Sequence, residues 1–437
     1  MRISCWVIAF LAFFEHVGSA QNVDKTTLEI EIGATTLPPY MVRWFEREIA
    51  DFSKKNSEVS ISTTALSAPI RPFSSNIQDL PRLPDNIIGI QTLAGGEVDY
   101  LISQDLIVPL DDFIPDHDFE VGAFNENAWK SVTRNGKKWG VPILLDTKVL
   151  FYDPKAFEAA GLMAPPKTWD EFLEYIEKLT LDLNGDGATD QWGVWMPPSI
   201  GLEAFLWRAL DRQHNIQYAP GGIVNFNQPQ IRKNLQFIRD LMESPYTNKG
   251  AGASFGRPVG QKNSAMMIIN NYIQHLPLLV NPMMTLLRDS KYKVAHLPSN
   301  ADPVTGTGNR IYLAIRKSTP EKERASWEFL KWMSRPDISL HTAWFGFPAR
   351  NDIRERKDVQ RMLSRGVQNY DILLEAAGRA READVQFENK SLSALRRPVD
   401  MFFSGRSDLD ATIASMTKIG SELLITETKS VDTDDLL

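Results

Sequence analysis

The stretch NGKKWGVPILLDTKVLFYD, residues 135–153, poses the central question of this fold. Asn135-Gly136 is a turn signal entering a strand at VPI, and KVLFYD follows soon after as a second strand. Asp146 stands between the two strand signals.

On either side, short apolar runs alternate with helical patterns. In TLEIEIGAT, Leu28, Ile30 and Ile32 are spaced as one face of a strand requires. Met41, Phe45, Ile49 and Phe52 recur at helical spacing, which predicts an amphipathic helix over about residues 38–54. VSIST and DNIIGIQT are further strand candidates. Downstream, Thr168 with Glu171 forms a capping-box signature, and Phe172, Ile176 and Leu179 line the helix it opens. Pro229 suits a first helical position ahead of Ile231, Leu235, Ile238 and Leu241. AMMII, YKVAHL and RIYLAI read as strands, the last leading into a helix that carries ASWEFLKWM. The alternation predicts an α/β chain with largely parallel sheets covered on both faces.

Composition narrows the class. Arg2, the apolar run Cys5–Phe14 and Gly18-Ser19-Ala20 follow the order of a secretory signal peptide over residues 1–20, with an apolar core too short to span a bilayer. The single cysteine, Cys5, falls inside it. A mature chain without cysteine has no disulfide, no thiolate nucleophile and no lipidation cysteine at the cleavage point, which predicts an unanchored protein of a bacterial periplasm. Residues 21–437 exceed what one hydrophobic core usually serves, so at least two lobes are expected. A formal charge of −7 argues against nucleic acid or an anionic membrane as partner.

Most catalytic motifs fail on context. GASFG around Ser254 matches a nucleophile elbow, but polar, turn-rich sequence replaces the required strand and helix. The histidines lack HExxH spacing, and TGTGN (305–309) precedes a strand instead of following one. A glycosidase carboxylate pair would begin with Asp146 and needs a second acid across a cleft. LDLNGDGATDQWG (181–193) resembles half of a calcium loop, with Asp182, Asn184, Asp186 and Asp190 as oxygen donors. Its twelfth position from Asp182 is Gly193, where an EF-hand carries a bidentate Glu. The loop is either a weak structural calcium clip over 182–190 or a pair of tight turns. Eleven tryptophans, several outside helix faces, suggest stacking on the apolar faces of sugar rings at strand ends.

The order of segments resembles the extracellular solute-binding proteins of bacterial ABC importers, in the sugar-binding family related to maltose-binding protein. Gly136–Gly161 resembles the family's entry into its second lobe, and PPKTWDEF (165–172) and DLNGDGATDQWG fall where the family places them. KNSAMMIINNY resembles the methionine strand entering the cleft, although Asn270-Asn271-Tyr272 replaces a common Gly-x-Trp. TGNRIYLAIRKSTPEKERASWEFLKWMS resembles the return crossing, WFGFPAR the second hinge region, and MFFSGRSDLDATIASMTKIGSELL the terminal helices.

The resemblance implies a two-lobed periplasmic binding protein fold of type II with a hinged interlobe cleft. Residues 21–141 and 304–348 form lobe 1, and 142–303 with 349–437 form lobe 2. It implies a monomer without cofactor or catalysis, which captures a mono- or oligosaccharide and delivers it to the transmembrane subunits of an ABC permease. Trp195, Tyr272 and Trp344 are the implied stacking groups. Gln91, Asp146, Asn271 and Asn309 are the implied hydrogen-bonding groups, and Arg350 binds a ligand or a carboxylate of its own fold. The rival readings are a binder of a non-sugar solute, such as glycerol phosphate or a polyamine, and an exported glycoside hydrolase.

Overall fold

The computed structural model describes residues 26–32, 39–65, 87–92, 98, 101–102, 105–115, 119–145, 147–196, 202–218, 223–249, 263–270, 292–299, 310–343, 347–364, 369–379, 395 and 397–431. The expected signal peptide, the GASFG loop at Ser254 and TGTGN lie outside them.

Strands form where the sequence alternates. β1 (Thr26–Ile32) pairs in parallel with β2 (Val59–Ala65) and β3 (Ile87–Thr92), and α1 (Pro39–Lys55) makes the first crossover. Trp44, Phe45, Ile49 and Phe52 of that helix are buried. A small hairpin, β4 (Thr133–Arg134) and β5 (Lys137–Lys138), turns through Asn135 and Gly136, both at positive φ, 51° and 76°. Two consecutive residues at positive φ match the turn that suits a two-residue hairpin, which is why Asn-Gly stands there.

β6 (Val141–Leu145) joins the first sheet, whose order is β13-β6-β12-β3-β1-β2, with β12 spanning Arg310–Ile315 and β13 Phe347–Pro348. β7 (Lys148–Tyr152) joins a second sheet, β11-β7-β10-β8-β9. Here β8 is Gln191–Trp195, β9 Thr247–Asn248, β10 Asn263–Asn270 and β11 Lys293–Ala295. The two strands of the opening stretch therefore belong to different sheets, with Asp146 and Thr147 between them. The first sheet thus extends past the expected boundary at 141/142, because Leu144 and Leu145 pair with β12 and β13.

Neither sheet is largely parallel, contrary to expectation. β12 runs antiparallel to both β3 and β6, and β13 runs antiparallel to β6. β7 runs antiparallel to both β10 and β11. β7 and β12, each the first strand after the chain comes from the other sheet, run antiparallel to both of their neighbours.

Two helices show how side chains set boundaries in the second half. α2 (Trp169–Lys178) begins where Thr168 Oγ1 accepts the Glu171 N–H at 3.1 Å. The reciprocal Glu171 carboxylate reaches one residue further back than a standard box, accepting the Lys167 N–H at 2.7 Å. α3 (Pro229–Glu243) starts at its proline and buries Ile231, Leu235, Ile238 and Leu241. One face of the second sheet (Leu150, Val194, Met266, Ile268) is buried with these two helices. The other carries a continuous row across four strands, Val294–Phe151–Met267–Trp195, also buried. Among the described residues no helix is long and apolar enough to cross a membrane.

Candidate ligand cleft

Register shows what converges at the crossing. Asp146 and Thr147 alone separate the C-terminal end of β6 from the N-terminal end of β7, so those two ends face one another. On the first sheet, Leu144 pairs with Ile311 and Pro348, Ile311 pairs with Gln91, and Leu145 pairs with Phe347. The same margin thus carries the C-terminal end of β3 and the N-terminal ends of β12 and β13. On the second sheet Lys148 pairs with Asn270, the last residue of β10, while Trp195 at the end of β8 lies opposite Met267 and Asn248. The ends of these strands in the two sheets thus lie on either side of a two-residue link in the chain. Strand ends of α/β sheets are where ligands bind, because backbone and loops there are free to present polar groups.

The expected site residues distribute unevenly on this frame. Gln91 lies on β3 in the row that leads to the crossing. Asp146, Asn271, Tyr272, Asn309 and Trp344 lie outside the described residues, but in sequence they adjoin the ends of β6, β10, β12 and α4 (Pro336–Thr342).

Trp195 does lie at a strand end but is 7 % exposed and completes the buried row described above. Its low exposure leaves little of the ring open in this structure, within a buried set that also includes Leu144, Tyr312 and Phe347 of the first sheet. The wider inference from tryptophan number is weakened likewise, since Trp44, Trp129, Trp169, Trp207, Trp327 and Trp332 are also core residues.

Arg350 is tied to its own fold. Its side chain is buried, donating to Asp352 Oδ1 and Oδ2 at 3.0 and 2.9 Å, Glu120 Oε2 at 2.8 Å and the Ser334 carbonyl at 3.2 Å. Burial opposes its charge, but the hydrogen bonds to Asp352 and Glu120 outweigh it and raise the guanidinium pKa. The carboxylate of its own fold, one of the two alternatives, is its partner.

The sequence passed over Lys148, which is 8 % exposed at the start of β7 beside the crossing. A lysine inside the apolar run VPILLDTKVLFYD was the available signal, since lysine is rarely buried without a partner. Thr147, next to it, is fully buried.

The 182–190 loop is a self-capped turn. Asp182 accepts the N–H groups of Gly185 (2.6 Å), Gly187 (2.8 Å) and Asn184 (3.2 Å), and Asp190 accepts that of Leu183 (2.9 Å). Asp186 accepts the Ala188 N–H at 2.8 Å and the Asn184 side-chain amide at 3.2 Å. Gly185 and Gly187 supply positive φ, 78° and 86°. The carboxylate oxygens expected as cation donors accept backbone N–H groups in this structure. Among the described residues no group of three or more His, Cys, Asp or Glu is placed to hold a metal ion.

These hydrogen bonds, that of Gly187 foremost, lower the Asp182 pKa. A carboxylate whose folded pKa is depressed stabilises above its unfolded pKa of about 3.9, and that contribution disappears as pH falls through the lower folded value. Amide exchange at Gly185 and Gly187 is therefore expected to accelerate as pH drops below about 4 relative to intrinsic rates, and Asp182→Asn is expected to remove the dependence. Millimolar calcium is expected to leave the melting temperature unchanged. A rise of several degrees would establish the clip.

Comparison with known proteins fits this frame. Residues 85–338 match the model of the bacterial extracellular solute-binding protein family. The maltose-bound MalE3 of T. maritima superposes with a TM-score of 0.70 at 18 % identity, over 91 % of this chain and all of that one. The fold is thus the two-lobed architecture of periplasmic binding proteins. A binding protein of Brucella abortus is 21 % identical over 343 residues, 77 % of this chain and 79 % of its own. The sn-glycerol-3-phosphate-binding periplasmic protein of Yersinia pestis is 23 % identical over 216 residues, 47 % of each chain. The chain belongs to the bacterial extracellular solute-binding proteins.

Proposed function

We propose that the protein captures a carbohydrate between the facing strand ends of its two sheets and presents it, unaltered, to the membrane subunits of an ABC importer. The observation that carries the reading is the two-residue link Asp146–Thr147 between strand ends of two sheets, in a chain of solute-binding family. A solute lying there touches both margins only when they approach, so binding favours the closed form by its extra contacts. Sugar is favoured over other solutes by the maltose bound to the similar T. maritima protein. Gln91, Asp146, Asn271 and Asn309 are the proposed hydrogen-bonding groups, with Tyr272 and Trp344 for stacking. Capture without chemistry, export through the N-terminal segment, a periplasmic location and a monomeric state complete the proposal.

A second reading, capture of sn-glycerol 3-phosphate, is favoured by the Yersinia pestis relative and by the lysine buried beside the crossing. A thermal-shift panel of maltodextrins, monosaccharides and sn-glycerol 3-phosphate distinguishes the two, since a ligand of the native state raises the melting temperature by mass action. At a concentration 100 times its dissociation constant, the true ligand contributes about 2.7 kcal/mol. The expected result is a shift with a neutral saccharide and none with the phosphate. A shift with the phosphate alone would establish the second reading, and steady release of reducing ends from any saccharide would overturn both.

A further inference from the structure

After β13 the chain passes from the first sheet toward helices that pack on the second, and apolar burial does not say where. Ile353 and Val359 belong to the same continuous buried set as Leu373, Ala376 and Ala377. The polar ties divide it clearly.

On one side, Ala349 donates to the Ile143 carbonyl at 3.0 Å and accepts the Asn125 N–H at 2.8 Å, and Arg350 forms a backbone bridge with Phe124. The Asn351 side-chain amide donates to the Phe124 carbonyl at 3.2 Å. Arg350 adds Glu120 and Ser334, elements of the first sheet's own shell, and its guanidinium lies 5.3 Å from the Phe124 ring. Arg354 extends the set, donating to the Asn351 side chain at 2.5 Å and the Pro348 carbonyl at 3.4 Å. α5 (Asn351–Arg354) carries these residues, and α6 (Lys357–Ser364) packs against α5. On the other side, Asn369 donates to the Val294 carbonyl at 3.1 Å, and α7 (Tyr370–Arg379) packs on β11 with Glu375 3.3 Å from His296.

We propose that residues 349–364 are part of the first lobe, clamped there by Arg350, and that the chain changes lobe after Ser364 and before Asn369, not at 348/349. Arg350 is then a positioning residue: it holds the start of the last passage between the sheets on the first sheet's side. This rests on the two-lobed capture reading, but its test involves no solute and fails separately from that reading.

The test is native-state hydrogen exchange of the wild-type chain with peptide-level readout, in rising sub-denaturing urea, where segments that open together merge onto one isotherm. Peptides from 349–364 are expected to merge with those of 119–129, 141–145 and 310–315. Merging with 148–152, 264–268 and 369–379 overturns the proposal, and so does a single opening shared by every segment. In Arg350→Met, protection of 119–129 and 349–364 is expected to fall together by tenfold or more while 369–379 keeps its own. Loss confined to 369–379, or no loss in 349–364, also overturns it.

Discussion

Gly193→Ala is expected to cost the second half of the chain about 3 kcal/mol or more, and Gly193→Val is expected to prevent that half from folding. Gly193 sits on β8, where the strand crosses α2, and a Cβ built there would fall inside the backbone of Ile176, against its Cα, carbonyl carbon and oxygen. Backbone cannot swing aside as a flexible side chain can, so the helix must lift or the strand must bend. Lifting the helix unseats Phe172 and Ile176, both essentially inaccessible to water, and fully burying such a side chain is worth about 1.5–3 kcal/mol. The strand is also held from the other direction: Thr180 Oγ1 accepts the Gly193 N–H at 2.9 Å while donating to the Ile176 carbonyl at 2.7 Å. The measurement is urea unfolding followed by exchange or fluorescence in each half, because a two-lobed chain need not unfold in one step. A Gly193→Ala protein as stable as wild type would show that the close approach is not rigid. The same contact explains the truncated calcium pattern. The position where a cation loop would carry its bidentate Glu is the position at which no side chain fits.

Local signals are legible in the sequence. The alternation of Leu28, Ile30 and Ile32, the Thr168 cap and Pro229 each act within one turn or one strand, and the elements form where those residues place them. Sheet membership is different in kind. VPILL and KVLFY look alike as apolar strands, and only pairing partners more than a hundred residues away, Ile311 for Leu144 and Asn270 for Lys148, put them in separate sheets. The same distance hid Trp195. Nothing near residue 195 reveals that Val294, Phe151 and Met267 complete a row beside it, so an aromatic at a strand end looked available when it was enclosed. For Arg350 the sequence left two alternatives open for a related reason: Asp352 lies two residues on, but Glu120 and the Ser334 carbonyl are far away in the chain. Long-range pairing decides which groups remain free to meet a solute, and that is the part of a binding site least visible in sequence.

Asp211→Ala is expected to be the most damaging single loss of a polar group in the second half, about 3–5 kcal/mol. Asp211 is 1 % exposed on α8 (Leu202–Gln213, a crossover helix between β8 and α3) and accepts the Tyr218 hydroxyl at 2.8 Å and the Asn234 side-chain amide at 2.5 Å. Both partners are buried as well, and Asn234 in turn accepts from Gln230 at 2.9 Å. The acid thus ties one helix to the loop that follows it and to α3, at a place where water is excluded. Truncating it removes the acceptor from a buried hydroxyl and a buried amide, and losing the acceptor of a buried donor costs about 1–3 kcal/mol. The cost comes from the stranded donors more than from the lost attraction, and this separates two accounts of the cluster. If the network only offsets its own desolvation, removing every member at once should hurt less than removing the acid alone. Asp211→Leu combined with Tyr218→Phe and Asn234→Leu is therefore expected to recover at least half of the stability that Asp211→Ala loses, as judged by urea midpoints at constant m-value. A triple variant that is the sum of three separate losses would show instead that the polar contacts themselves hold these helices in place.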